Sequence, residues 1–137
     1  MRNAIDAALD AIEISTYFYE VRLGRTDVAL LKTTMEAGQL DLPLTAFVDN
    51  MSLFDFVTGT EVVCKDAAMK LHALYMRQLL DRGMVTTLTW IDTRDMLADA
   101  LTKGKISRDA LMGACNNGRW ILQHYDPTKT WQSTPQQ

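Results

Sequence analysis

The stretch "LTAFVDNMSLFDFV", residues 44–57, decides the fold. Pro43 precedes it, and proline suits the first position of a strand because it has no N–H to donate to a sheet. The apolar run LTAFV then predicts a short buried strand that ends at Asp49. Asn50 or Ser52 is a suitable cap for the helix that the following residues predict. The stretch therefore predicts a strand, a polar corner and a helix.

The next 50 residues extend this pattern. Residues 65–82 place apolar side chains at helical spacing, and VTTLTWI, residues 85–91, is rich in β-branched residues and predicts a second strand. Thr93 is a suitable cap for a helix over RDMLADALTK, which Gly104 ends. A strand, helices, a strand and a helix in this order predict an α/β fold with a parallel βαβ unit flanked by helices.

The two ends of the chain complete the expected organisation. Residues 3–23 carry an apolar stripe at helical spacing, and residues 28–37 allow a short helix. Residues 119–125 are predicted to form a short final strand. One domain is expected over residues 1–125, and the polar segment 126–137 is expected to be a disordered tail.

Composition excludes several classes of protein. The chain has 137 residues, 47% of them hydrophobic and 23% charged, as in an ordinary single globular domain. The net charge of −3 does not indicate a general nucleic-acid binder. Cys64 and Cys115 lack CxxC spacing, which favours reduced thiols in an intracellular protein, cytoplasmic or nuclear. No run approaches the roughly 18 apolar residues of a membrane span, so no membrane partner is expected.

Two acids occupy unusual positions. Asp49 lies at the carboxyl end of the first predicted strand, where α/β sheets bind ligands, although it could equally cap the following helix. Asp99 lies between Ala98 and Ala100, and it could instead line the edge of a helix face. Two carboxylates brought together at strand ends repel each other unless a cation such as Mg²⁺ binds them. Asp95, in the first turn after the cap, is interpreted as structural.

These motifs resemble a known family. LTAFVDNMSLFDFV, then KDAAMKLHALYMRQLLDRG, then LTWIDTRDMLADALTKG occur in the order and at the spacing typical of the C-terminal part of the ribonuclease H domain of copia-type retrotransposon polyproteins. The family has an apolar strand ending in "DN", a helix that begins with Lys and has an Arg near its end, and the motif "LADxLTK". The segment GRWILQHYDPTKT also resembles the end of some members.

The resemblance implies an activity and a metal site. In the family, four acids bind two Mg²⁺ (or Mn²⁺) ions that cut the RNA strand of an RNA–DNA hybrid. The third and fourth acids correspond to Asp49 and Asp99. The second corresponds to Ala4, and Asp6, the nearest substitute, lies about 200° around the helix from it. The first acid belongs to a hairpin absent from this sequence, so the ribonuclease H-like fold is expected to be incomplete, with its first three strands missing, and inactive.

The resemblance also leaves partners open. Asn50, Lys65, Lys70 and Arg77 are candidate contacts to the hybrid, with a solvated surface as the alternative for the basic residues. The missing half could come from the rest of a polyprotein or from a second copy of the chain. The alternative function is a non-catalytic module, a relic or a co-opted fragment that binds protein or nucleic acid. An unrelated α/β binding domain with an accidental match is a third hypothesis.

Overall fold

The structure, a computed structural model, describes residues 2–24, 27–37, 42–59 and 67–132. Within these ranges it contains three strands, six α-helices and two 3-10 turns. The helices are α1 (Arg2–Leu23), α2 (Val28–Glu36), α3 (Met51–Thr58), α4 (Ala67–Asp81), α5 (Leu97–Thr102) and α6 (Asp109–Asn117). The strands are β1 (Thr45–Val48), β2 (Thr87–Trp90) and β3 (Thr130–Gln132), and the 3-10 turns cover Thr93–Asp95 and Pro127–Lys129. No helix in these ranges is both long enough and apolar enough to cross a membrane.

The sheet confirms the predicted βαβ unit. β1 pairs in parallel with β2, from Thr45 opposite Thr87 to Val48 opposite Trp90, and α3 and α4 lie between them in the chain. β3 pairs antiparallel with β2, so the three-stranded sheet is mixed and has the order β1-β2-β3. β1 is consequently an edge strand in the part of the chain that is described. The architecture is mixed α/β.

One hydrophobic core joins the helices to the sheet. Leu88 of the central strand is fully buried, and Leu80 of α4 is 1% exposed. Ile12 of α1 and Phe54 of α3 belong to the same buried cluster. Each of these helices therefore buries one face against the sheet, as its apolar spacing requires.

The corner after β1 forms for local reasons that the sequence contains. The side chain of Asn50 accepts a hydrogen bond from the backbone N–H of Leu53 at 3.1 Å, which caps α3 as predicted. Gly59 ends the helix with φ +84°, a left-handed conformation that a side chain would strain. Because both ends of α3 are fixed, the carboxyl end of β1 meets the helix at a defined angle.

The expected disordered tail is wrong for residues 126–132. Asp126 caps the second 3-10 turn by accepting from the N–H of Thr128 at 2.9 Å, and the chain then continues as β3. Trp131 lies opposite Leu88 and packs against the core, so an apolar side chain anchors this polar segment. The expectation for residues 133–137 falls outside the described ranges.

The expected helix after Thr93 is interrupted. Asp92, not Thr93, caps a 3-10 turn by accepting from the N–H of Arg94 at 2.9 Å, and Met96 is extended before α5 begins. The carbonyl of Asp95 accepts from the indole N–H of Trp120 at 3.0 Å, a contact outside the helix. The Asp95 carbonyl therefore bonds to Trp120 and not to a backbone N–H of a continuing helix.

The final strand predicted for residues 119–125 is also wrong. This segment is irregular in the structure. Its Trp120 indole and His124 backbone N–H donate to Asp95, and the hydroxyl of Tyr125 lies 3.3 Å from that of Thr130, without a backbone ladder to a neighbouring strand in the described residues. The apolar and aromatic residues 119–125 thus form a loop held by side-chain hydrogen bonds, and not the strand that their composition predicts.

Candidate functional site

Asp49 lies where the sequence predicts it, immediately after β1. Its backbone carbonyl accepts a hydrogen bond from the indole N–H of Trp90, 3.0 Å away on the neighbouring strand. Its carboxylate oxygen Oδ2 lies 3.5 Å from the hydroxyl of Thr93, at the outer limit of a hydrogen bond. Asp49 does not cap α3, because the side chain of Asn50 does so. The Asp49 carboxylate is therefore partly exposed and lightly engaged at the carboxyl edge of the sheet.

Asp99 lies in the first turn of α5 and is largely buried. Its Oδ2 is 2.9 Å from the Nζ of Lys103, one helical turn later, and the Lys103 side chain remains 56% exposed. The hydrogen bond to Asp99 and the negative charges of Asp99 and Asp49 raise the pKa of Lys103. Lys103 is therefore the ion-pair partner of Asp99, and the charge of Asp49 acts on it more weakly.

The donor set does not fit a two-metal cluster. Mg²⁺ prefers six oxygen ligands in octahedral geometry, and two ions need more carboxylates than one pair supplies. In the ranges that the structure describes, no group of three or more His, Cys, Asp or Glu side chains is arranged to hold a metal ion. Asp99 is also already neutralised by Lys103. Lys103 supplies the positive charge beside Asp99, and the two carboxylates alone do not make a two-metal site.

Removing that lysine is expected to change cation binding. In Lys103→Met, the charge that repels a divalent ion disappears while both carboxylates remain. Mn²⁺ affinity, measured by electron paramagnetic resonance of the free ion, is expected to increase at least about fivefold, because like charges a few ångströms apart repel even under partial screening. Lys105→Met, an exposed substitution two residues away, serves as the control. Equal Mn²⁺ affinity in all three proteins would contradict this assignment.

The candidate nucleic-acid contacts differ in how far other groups already engage them. Asn50 uses its side-chain oxygen to cap α3. Arg77 lies on α4, where its guanidinium is 3.4 Å from the carbonyl of Val57 and 4.0 Å from the carboxylate of Asp81. Lys70 is exposed on the same helix, and Lys65 lies outside the described residues. Asn50 and Arg77 thus have structural roles, and Lys70 remains a candidate contact.

An apolar cleft of about 280 Å³ runs along the open edge of β1. Small side chains of α1, including Ala7 and Ala11, line one side of it, and Ala98 and Trp120 line the other. Trp120 meets Phe47 of β1 edge to face, with ring centroids 4.8 Å apart. The edge strand thus lies at the base of a slot bounded by helical and loop segments on both faces of the sheet.

A second polar cluster, centred on Asp95, was missed by sequence reasoning. Asp95 is 3% exposed, and its carboxylate accepts from the backbone N–H of His124 at 2.8 Å and contacts the Nδ1 of His124 at 3.3 Å. Nearby, the Arg94 guanidinium binds Asp92 and holds the pKa of that carboxyl well below its usual range. Spacing along the sequence gives no sign of a bond across 29 residues. The interpretation of Asp95 as a structural residue was nevertheless correct. Asp95 fastens the segment 119–125 to the end of the sheet.

Lys103 was also missed, but the sequence contained a signal for it. Lys103 follows Asp99 by four residues, and an acid four residues before a lysine on a helix is the favourable ion-pair spacing. The motif "LADxLTK" includes both residues, so the pair could have been predicted from the motif alone.

Comparisons with known proteins add no relative. No family model matches the chain, and no curated protein or solved structure matches it. The function is therefore inferred from the residues, their arrangement and the motif resemblance.

Proposed function

We propose that this chain is the C-terminal part of a ribonuclease H-like domain of a copia-type retrotransposon polyprotein. The complete domain hydrolyses the RNA strand of RNA–DNA hybrids with Mg²⁺ or Mn²⁺, and Asp49 and Asp99 supply two of its acids. The chain by itself is inactive, since it lacks the other two acids. The observation that carries the proposal is the position of Asp49 directly after β1 in a parallel βαβ unit, with its carboxylate 3.5 Å from Thr93 in the segment that leads to Asp99.

The slot beside β1 supports the incomplete fold. A sheet edge normally carries charges, a bulge or a covering segment that prevents further pairing. β1 has no charged residue, and small alanines of α1 leave space beside it. Such an edge is suited to receive another strand, and the resembled family places strands with the first acid before the first helix. The missing half is accordingly expected to pair with β1.

The test is to supply the missing half. The opening hairpin of the resembled family, with its acid, is fused before Met1, and Ala4→Glu restores the second acid. We expect the unfused chain to leave a labelled RNA–DNA hybrid intact in Mg²⁺ and Mn²⁺, and the fusion to cleave its RNA strand. Asp49→Asn and Asp99→Asn in the fusion are each expected to reduce cleavage at least about a hundredfold, since each removes a ligand of the two-metal clamp.

Two controls make the result decisive. Asp109→Asn changes an exposed acid on α6 and is expected to leave cleavage by the fusion unchanged. A fusion that is folded by circular dichroism and binds the hybrid, yet never cleaves it, would contradict the proposed site. Cleavage that persists in both Asp49→Asn and Asp99→Asn would do the same.

A non-catalytic binding module is the second candidate function. The ion pair between Asp99 and Lys103 favours it, because a lysine that satisfies the carboxylate removes the need for a metal in the isolated chain. In that case the chain is a relic or co-opted fragment that binds protein or nucleic acid. Binding of the unfused chain to hybrid, duplex DNA and single strands is compared in wild type and Lys70→Glu at a concentration where both are monomeric. Binding that Lys70→Glu weakens indicates a nucleic-acid module, and no binding to any of the three favours a protein-binding one.

A further inference from the structure

Two helices of the chain expose matching apolar stripes on the side opposite the core. On α1 the stripe comprises Ile14, Tyr17, Phe18 and Val21, which are between 54% and 81% exposed. On α4 the stripe comprises Leu71, Leu74 and Tyr75, which are between 39% and 69% exposed. Contiguous exposed apolar surface of this kind marks an interaction site more often than isolated apolar residues do.

The two stripes have the same spacing and opposite flanking charges. The segment EISTYFYE, residues 13–20, aligns with KLHALYMR, residues 70–77, position by position. Their exposed apolar positions coincide, whereas both glutamates of α1 fall where α4 has basic residues. The equivalent pairs are Glu13 with Lys70, Ile14 with Leu71, Tyr17 with Leu74, Phe18 with Tyr75, and Glu20 with Arg77.

Helix geometry makes these charges complementary. At about 100° per residue, the glutamates lie to one side of the α1 stripe, and the basic residues lie to the same side of the α4 stripe. When two helices pack antiparallel, flanks on the same side face each other, as the e and g positions of coiled coils do. Glu13 then lies beside Arg77 and Glu20 beside Lys70, around a shared apolar seam.

The pairing cannot form within one chain, because α1 and α4 bury their opposite faces in the same core. Ile5, Ala8 and Ile12 of α1 share that buried cluster with Ala73 and Met76 of α4. Both stripes therefore face outward from one helical layer. A second molecule presents the same two stripes, so each can cover the other.

We propose that the chain forms a two-fold dimer in which α1 of each copy packs antiparallel on α4 of the other. The interface is reciprocal, since α1 contacts the partner's α4 while α4 contacts the partner's α1, as two-fold symmetry requires. The apolar stripes supply the buried core of the interface, and the flanking charges select the antiparallel α1–α4 arrangement over α1–α1 or α4–α4 contacts. This dimer does not depend on the proposed ribonuclease H ancestry.

Charge reversal tests the arrangement with the full chain. One variant, Glu13→Lys/Glu20→Lys, has basic residues beside both apolar stripes. The other, Lys70→Glu/Arg77→Glu, has acidic residues beside both. By sedimentation equilibrium we expect the wild type to dimerise and each variant alone to dimerise at least about tenfold more weakly, since like charges then meet across both seams. An equimolar mixture of the two variants is expected to form a heterodimer about as strongly as the wild type, because both of its seams pair opposite charges.

A smaller exchange guards against loss of folding. Arg77 also contacts Val57 and Asp81, so its substitution can disturb α4. Two single variants, Glu20→Lys and Lys70→Glu, leave Arg77 intact. Each alone is expected to dimerise more weakly than the wild type, and an equimolar mixture of the two is expected to recover dimerisation, with smaller changes than the double variants show. Circular dichroism and urea unfolding verify that each variant is folded.

Three results would overturn the proposal. One is a wild type that remains monomeric up to about 100 μM, a range that covers even weak specific dimers. Another is dimerisation that is unchanged by both charge reversals but lost in Ile14→Ser/Phe18→Ser, which indicates α1–α1 packing. The last is a mixture of the two charge-reversed variants that stays monomeric although both are folded.

Discussion

Asp95→Ala is expected to lower the free energy of unfolding by roughly 2–4 kcal/mol, because it removes a buried carboxylate and leaves its partly buried partners without their acceptor. The backbone N–H of His124 loses its acceptor, and the ring Nδ1 of His124 loses its contact with the carboxylate. The segment 119–125 is then held mainly by the bond from Trp120 to the carbonyl of Asp95. Because this segment leads into β3, the pairing of β3 with β2 is weakened as well. Urea unfolding measures the loss.

Local exchange rates separate this mechanism from a general loss of stability. In Asp95→Ala the amide protons of residues 120–132 are expected to exchange faster than those of α4, because only the fastened segment opens. Asp95→Asn keeps one oxygen for the N–H of His124 and is expected to cost less than the alanine substitution. Asp109→Ala removes an exposed carboxylate that bonds only locally to Ser107, so it serves as the control. An Asp95→Ala protein within about 0.5 kcal/mol of the wild type would contradict the fastening role.

Leu88→Ala is expected to have a similar or larger effect, a loss of about 3 kcal/mol, because it leaves a cavity in the centre of the core. Leu88 is fully buried on the central strand and lies opposite Trp131 of β3. The substitution removes contacts on both sides of β2 without changing any hydrogen bond of the sheet. Thermal and urea unfolding measure the effect.

An exposed leucine provides the matched control for this core substitution. Leu71 on α4 is 69% exposed, so Leu71→Ala is expected to change the unfolding free energy of the monomer by less than about 0.5 kcal/mol. The comparison is made at a protein concentration below dimerisation. If the two substitutions cost the same, β2 is not the centre of the core.

Regular elements could be predicted from the sequence because their signals are local. The apolar run before Asp49 and the asparagine cap at Asn50 act within a few residues, and the structure confirms the strand and the cap. The strand was expected to be buried, and this was wrong: of its four residues only Val48 is buried, because β1 lies at the edge of the described sheet. The parallel pairing of β1 with β2 followed from the order of the elements.

Long-range contacts, one a hydrogen bond and one a packing contact, explain where the predictions from the sequence were wrong. The helix expected after Thr93 is interrupted because the carbonyl of Asp95 bonds to Trp120, 25 residues away. The tail expected to be disordered forms β3 because one tryptophan, Trp131, reaches the core. Neither partner can be identified from spacing along the chain, since nothing local distinguishes these tryptophans from other core residues.

The position of Asp49 was predictable, because it follows the apolar run of β1 directly. The ion pair between Asp99 and Lys103 could also have been predicted, because an acid four residues before a lysine suits an ion pair on a helix. The hydrogen bond from the indole N–H of Trp90 to the carbonyl of Asp49 was not predictable, because the two residues lie 41 positions apart in the chain.

The open edge of β1 has a consequence for handling this protein. Its four residues, Thr45–Val48, carry no charge, and among the described residues no strand pairs with its outer edge. Natural sheets commonly prevent such pairing with a lysine, a proline or a bulge at the edge. Concentrated solutions are accordingly prone to open-ended intermolecular sheet growth, which thioflavin fluorescence would report. Thr45→Lys, at an exposed position of β1, is expected to suppress it and keeps the contact between Phe47 and Trp120, so the most useful solubilising substitution lies on a strand and not on the surface of a helix.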